Sequence, residues 1–303
     1  MENHNHSVPE YWVTLLETLR QRLLDPEFIA RHRVRPQDFT RSRILPFGLA
    51  VIFILQHTVK SIQRHLREFF SQLKNELAIV SVSSSAWTQA RAKLKHTAFI
   101  ELNQTCMLPA RYESKDAPPI LRWRGLRLLA VDSSTLRLPM WEDTAKEFGI
   151  VETTNQTGTI VALELYNYRW GIETYYFLLK SRLSLENFSG KTAESIRQDF
   201  FSAVLLANLE SLLSAPAQEK LQSASENTEY KEQVNRANSY HALKFLLLDL
   251  LYRNVPALAV IEQLQKWFED NPVRTIRDRK VPRTTPSFNR SDHFQRRVKK
   301  TVF

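Results

Sequence analysis

Glycine is scarce in this chain, with six in 303 residues. No glycine-rich phosphate-cradling loop can be built from so few, and neither a GxGxxG run nor a Walker-type run occurs. Cysteine is rarer still. The single Cys106 excludes an intramolecular disulfide framework and any Cys-based zinc cluster, and it fits a reducing, cytoplasmic setting. The eight histidines are scattered, with no HExxH and no paired ligand spacing. His57, His65 and His96 read as surface or cap residues. The opening Met1-Glu-Asn-His-Asn-His lacks the basic and apolar regions of a signal peptide. The longest apolar run, around Phe47 to Leu55, is too short to cross a bilayer and predicts a core helix.

What is present is apolar and basic. A hydrophobic content of 43% suffices for a substantial core, and the length predicts two domains. Net charge is +10 with a sequence pI near 9.7, a balance that favours a polyanionic partner, because neutralising phosphates releases counterions. The excess concentrates at the end: Arg274 to Phe303 carries ten Lys or Arg against two acids, Asp278 and Asp292. Pro282 and Pro286 interrupt this stretch, which reads as an extended arm. Nucleic acid suits it better than a membrane surface, because few apolar residues share a helical face there. A solubilising basic tail is the plain alternative.

Periodicity predicts a mainly α chain with a small α/β part. Helices are expected over Tyr11 to Leu24, from Pro46 through Val59, and from Ile62 through Leu73, with Phe28 to Phe39 as a connector. Val82-Ser-Ser-Ser-Ala86 reads as a helix N-cap. It leads into a polar-basic helix, Trp87 to Lys95, in a weak helix-turn-helix pattern. Gln89, Arg91, Lys93 and Lys95 are then either DNA contacts or a solvated face. Leu126-Arg-Leu-Leu-Ala-Val131 reads as a buried strand closing on Asp132, which is either a carboxylate at a sheet's rim or a turn former. Later come an apolar helix over Phe200 to Leu213, a polar linker-like stretch over 215 to 235, and core helices over Tyr240 to Leu251 and Val260 to Phe268. The expected division is a helical region over 1–115, a second domain over 116–270 and a basic arm over 271–303.

Between them lies the run Tyr166-Asn-Tyr-Arg169-Trp-Gly-Ile-Glu173-Thr-Tyr-Tyr-Phe-Leu-Leu-Lys180. At about 100° per residue, Tyr166, Arg169, Glu173 and Lys180 point within roughly 60° of one another on an α-helix. One stripe thus offers a carboxylate for a metal with two cations and a phenol for a phosphodiester. The bland alternative is an amphipathic helix with a solvated Arg–Glu pair. Trp123, Trp170 and Phe177 are most simply packing residues.

These residues resemble a family. Leu-Leu-Ala-Val-Asp132-Ser-Ser-Thr-Leu-Arg-Leu-Pro is similar to the first-Asp segment of bacterial insertion-sequence transposases of the DDE type. Tyr166, Arg169, Glu173 and Lys180 resemble the YREK signature of the insertion sequence 4 family. Leu185-Glu-Asn-Phe-Ser-Gly-Lys191, the segment from Asp278 to Phe303, and Ser83 to Arg91 resemble its flanking regions. The resemblance implies a helical N-terminal DNA-binding region and an RNase H-like catalytic core. It also implies acids holding two Mg²⁺ (or Mn²⁺) ions, with Asp132 and Glu173 as catalytic and metal-binding residues. Tyr166, Arg169, Lys180, Arg91 and Lys93 would bind double-stranded DNA at the element's terminal inverted repeats. A cytoplasmic, nucleoid-associated homodimer is expected, without membrane contact. One departure stands out. Only forty residues separate Asp132 from Glu173, and Asp143 is the sole Asp among them. Asp143 sits in a segment resembling the portion after the first strand, so the second catalytic Asp reads as deleted and the core as truncated. The alternative function is a non-catalytic DNA-binding remnant that competes with an intact transposase.

Overall fold

Leucines and aromatics at helical spacing decide where this chain buries its surface. The computed structural model describes residues 10–40, 45–73, 82–112, 122–123, 126–127, 138, 141–148 and 175–276. Helix α1 (Glu10–Leu24) turns Trp12, Leu15, Leu16, Leu19 and Leu23 inward, the i, i+3, i+4 pattern of one apolar stripe. Helix α2 (Pro26–His32) starts at once, because Asp25 caps it by accepting from Glu27 N at 3.0 Å and Pro26 already has a helical φ. The connector expected at Phe28 to Phe39 is thus helical in its first half. Helix α3 (Phe47–Leu55) is buried at every position, as its unbroken apolar sequence requires. Helices α4 (Ile62–Gln72) and α5 (Ser84–Arg91) follow, and Ser83 caps α5 by accepting from Ala86 N at 3.1 Å.

Helix α6 (Thr97–Leu102) and α7 (Leu108–Tyr112) are joined through a π-helical turn, Asn103–Met107. Strands β1 (Arg122–Trp123) and β2 (Leu126–Arg127) pair antiparallel, and α8 (Glu142–Phe148) follows them in the chain. Of the strand expected over Leu126 to Val131, only the first two residues are described. The second half is dominated by α9 (Ala193–Ala224), 32 residues long, then α10 (Arg236–Leu251) and α11 (Ala257–Asp270). Helix α9 is long and apolar enough to cross a membrane, yet most of that stretch is buried within the protein, as in a core helix.

Among the described residues, both halves share one core. Helix α9 packs on α3 and α6 from the first half and on α11 from the second, while α1 packs on α10. Leu16, Ile52, Phe99, Leu213, Leu247 and Leu264 belong to the same buried cluster. Among the described residues, those on either side of the boundary expected near residue 115 contribute to this one cluster. Glu210 adds a polar tie within it: buried in α9, it accepts from Arg236 Nη1 and Ser239 Oγ of α10, each at 2.5 Å. Burial pushes its carboxyl above the usual range, against the pull of Arg236.

The polar stretch over 215 to 235 is not a linker. Its first half completes α9, and Tyr230–Gln233 forms β3, antiparallel to β4 (Val273–Ile276). The register pairs Lys231 with Thr275 and Glu232 with Arg274, so the expected basic arm begins inside a ladder. The ladder is polar because its residues are mostly exposed or half-buried, which removes the alternation that marks a half-buried strand. The described chain is mainly helical with small two-stranded β elements.

Candidate nucleic-acid interface

Asp132, Tyr166, Arg169 and Glu173 lie outside the described residues, as do Trp170 and everything beyond Ile276. Three candidate site residues, Lys180, Arg91 and Lys93, are described, and the fold treats them differently.

Arg91 closes α5 and points inward, with 6% of its surface exposed. Its Nε donates to Gln198 Oε1 at 2.6 Å, and Nη1 donates to Ser189 Oγ at 2.5 Å. Nη2 donates to the Ser195 carbonyl at 2.7 Å and to Asp199 Oδ1 at 2.8 Å. The second oxygen of Asp199 accepts from Ser189 N at 2.7 Å, so both members of the ion pair are almost fully satisfied. A buried pair of this kind is tolerable only when such extra bonds replace the lost water. Backbone must come very close to make it. A Cβ at Gly190 would lie 2.2 Å from Ser195 Oγ, so only glycine fits. Arg91 is therefore no phosphate ligand in this arrangement. It locks the Ser83–Arg91 segment to Leu185–Lys191 and to the first turns of α9.

The helix expected to run to Lys95 stops at Arg91, with Ala92 as its C-cap. Lys93 and Lys95 instead flank Leu94, which is fully buried and bridges antiparallel to Arg33. Val34 N donates to the Lys93 carbonyl at 2.9 Å, and Lys95 N to the His32 carbonyl at 2.8 Å. His32 anchors this joint from below: Nδ1 lies 2.8 Å from Thr97 Oγ1 and Nε2 lies 2.7 Å from Glu101. Burial lowers the His32 pKa, while Glu101 opposes the shift. Arg31 chelates the same carboxylate at 2.6 and 3.3 Å, and that bond holds Glu101 below the usual carboxylate range. Lys93 is exposed. Of the helix-turn-helix pattern, α4 and α5 do pack, through Gln63, which accepts from Ser84 N at 2.9 Å and donates to the Val82 carbonyl at 3.0 Å.

Lys180 sits in a widened turn. Residues 175–177 are helical and pass into a π-helical turn, Leu178–Arg182, closed by Leu183 N on the Leu178 carbonyl at 3.1 Å. A bond to the fifth residue back adds a residue to the turn, so the 100° spacing does not extend through Lys180. Leu179 and Leu183 are buried, and this segment packs on α9 and α10. Tyr175 is pressed against the core, and burial pushes its phenol up to about 12. Phe177, expected as packing, is 64% exposed instead. His65, expected at the surface, is buried and stacks on Phe53 with ring centroids 4.1 Å apart.

Asp143 has a structural post that its sequence position did not announce. Its Oδ2 accepts from Ala193 N at 2.7 Å, placing a carboxylate at the N-terminus of α9 beside the capping Thr192. An anion there satisfies an orphan donor and complements the helix dipole. Among the described residues, no group of three His, Cys, Asp or Glu side chains is placed to hold a metal ion. Gln198, Asp199 and Ser189 were invisible as partners of Arg91 in the sequence, since about a hundred positions separate them. No family model, curated protein or solved structure matches this chain.

Proposed function

We propose that this chain is an insertion-sequence DNA transposase by descent, which binds the double-stranded ends of its element and cuts and joins DNA at a metal-dependent site. The observation that carries this reading is the sequence run bearing Tyr166, Arg169, Glu173 and Lys180, with the residue types and spacing of the signature it resembles, together with the apolar run that closes on Asp132. Asp132 and Glu173 would hold Mg²⁺ or Mn²⁺ on a truncated RNase H-like core, while Tyr166, Arg169 and Lys180 hold phosphates in register. The divalent ions supply Lewis-acid stabilisation of the attacking and leaving oxygens of an in-line displacement. The chain would act in the cytoplasm on the nucleoid, as a homodimer on paired ends.

A second reading has its own observation. Asp143, the sole Asp between Asp132 and Glu173, is committed to the N-terminus of α9. With no further Asp in that interval, the second catalytic Asp of a two-metal site is missing, and the chain acts as a DNA-binding remnant that competes for element ends.

The test incubates purified protein with Mg²⁺ or Mn²⁺ and the DNA that flanks its gene, beside Asp132→Ala and Glu173→Ala. Cuts abolished by both substitutions support the transposase. Salt-sensitive binding without cuts supports the remnant. A chain that neither cuts nor binds DNA removes both.

A further inference from the structure

The turn after α2 and the turn after α5 are zipped together, and cations line the seam. Arg31, Arg33 and Arg35 alternate with the buried His32 and with Val34, while Lys93 and Lys95 flank the buried Leu94. Five cations thus share one short antiparallel bridge, whose backbone is fixed by the Val34–Lys93 and Lys95–His32 hydrogen bonds.

Their neutralisation is incomplete. Arg31 is paired with Glu101, and Lys95 Nζ donates to the Arg31 carbonyl at 3.1 Å. Asp38, the nearest other acid along the chain, is buried and accepts from the backbone N of Arg35 at 2.9 Å. Among the described residues, no carboxylate stands within ion-pair distance of the side chains of Arg33, Arg35 or Lys93. Some exposed cations on the helices do have one, as Arg64 beside Glu68 and Lys220 beside Glu269 show. Three unmatched cations on one short seam raise the local positive potential and favour an anion there. The seam has no exposed aromatic and no amphipathic helix, which is what a membrane surface would require.

We propose that this ridge, with Arg33, Arg35 and Lys93 at its centre, is where the phosphate backbone of double-stranded DNA lies. The proposal rests on the DNA-binding part of the function proposed above. It moves the contact from the face of α5 to the seam beside it. Because Arg91, two residues before Lys93, is clamped to Ser189 and to α9, DNA held on the ridge is held to the Leu185–Lys191 segment as well. Phosphate contacts of this kind position a duplex without reading its sequence.

The test titrates the full chain against a fluorescent duplex of arbitrary sequence over a series of salt concentrations, watching anisotropy. In the variant R33Q/R35Q/K93Q the affinity falls by roughly tenfold or more, and the slope of log K against log salt becomes shallower by about 0.9 per lost contact, or about 2 to 3 in all. An unchanged melting temperature shows that the variant folds. The variant R296Q/R297Q/K299Q/K300Q does the same for the terminal arm. If the arm variant loses the slope and the ridge variant keeps it, the ridge is overturned. Loss of binding to anionic-lipid vesicles with duplex binding intact overturns it too. Ridge-dependent binding by a chain that never cuts DNA upholds the ridge and removes the transposase reading. DNA cutting and binding that ignore the ridge variant remove the ridge alone.

Discussion

Arg91 and Lys93 stand two residues apart, yet one belongs to the interior and the other to the surface. Around Arg91 each guanidinium nitrogen finds a fixed acceptor, and the pair with Asp199 is almost closed to water. Around Lys93 the backbone is equally fixed, but the charges are left open. The difference teaches that a basic residue, in one short segment, serves cohesion where a carboxylate is buried opposite it and stays available where none is. Basic character alone separates neither role. Partners do.

The sharpest way to break that contrast is Arg91→Ala. It leaves Asp199 buried without its cation, so stability falls by about 3 to 5 kcal/mol, read as a large drop in denaturation midpoint. The double change R91M/D199L recovers much of that loss, because neither charge is then left alone. A chain that tolerates Arg91→Ala as easily as Lys93→Gln would erase the distinction.

His65 gives the interior a pH signature. Burial beside Phe53 lowers its pKa to about 3, from an ordinary value of 6.5. The unfolded chain thus binds a proton that the folded chain refuses. The stability tied to the neutral ring is complete above about pH 6.5 and is lost progressively as pH falls toward 3, a few kcal/mol in all. Melting temperatures measured from pH 7 downward fall along that course, and His65→Phe flattens the curve.

Gly190→Ala probes the close approach that lets Ser189 and Ser195 meet Arg91. The added methyl forces the segment away from α9 and costs about 1 to 3 kcal/mol by thermal melt. Lys93→Gln has the smallest effect: a change within about 0.5 kcal/mol, as for an exposed side chain with no fixed partner. Its consequence belongs to binding alone.

Much of the helical frame was legible in the residues. The stripe of Trp12, Leu15, Leu16, Leu19 and Leu23, the all-apolar run of Phe47–Leu55 and the capping Ser83 each announce a local preference that the fold keeps. What stayed hidden depends on distant partners. Arg91 looks solvated until Asp199, 108 positions later, comes opposite it. Tyr230–Gln233 looks like a linker because both faces of its ladder are largely wet, leaving no alternation to read. The π-helical turn at Leu178–Arg182 has no periodic mark in its apolar residues, so Lys180 seemed to continue a regular stripe. Of the candidate site, the residue types were readable, but which cations were already taken was not.

A core closed by both ends of the chain also has a consequence in time. Helices α3 and α6 leave the ribosome well before α9, the helix that covers them. At about 5 to 20 residues per second, the 108 positions from Arg91 to Asp199 take roughly 5 to 20 seconds to synthesise. Through that interval the first half carries an uncovered apolar face and an arginine without its acid, open to chaperones and proteases. A product cut short before α9 never leaves that state, so only chains translated through α9 can close the core.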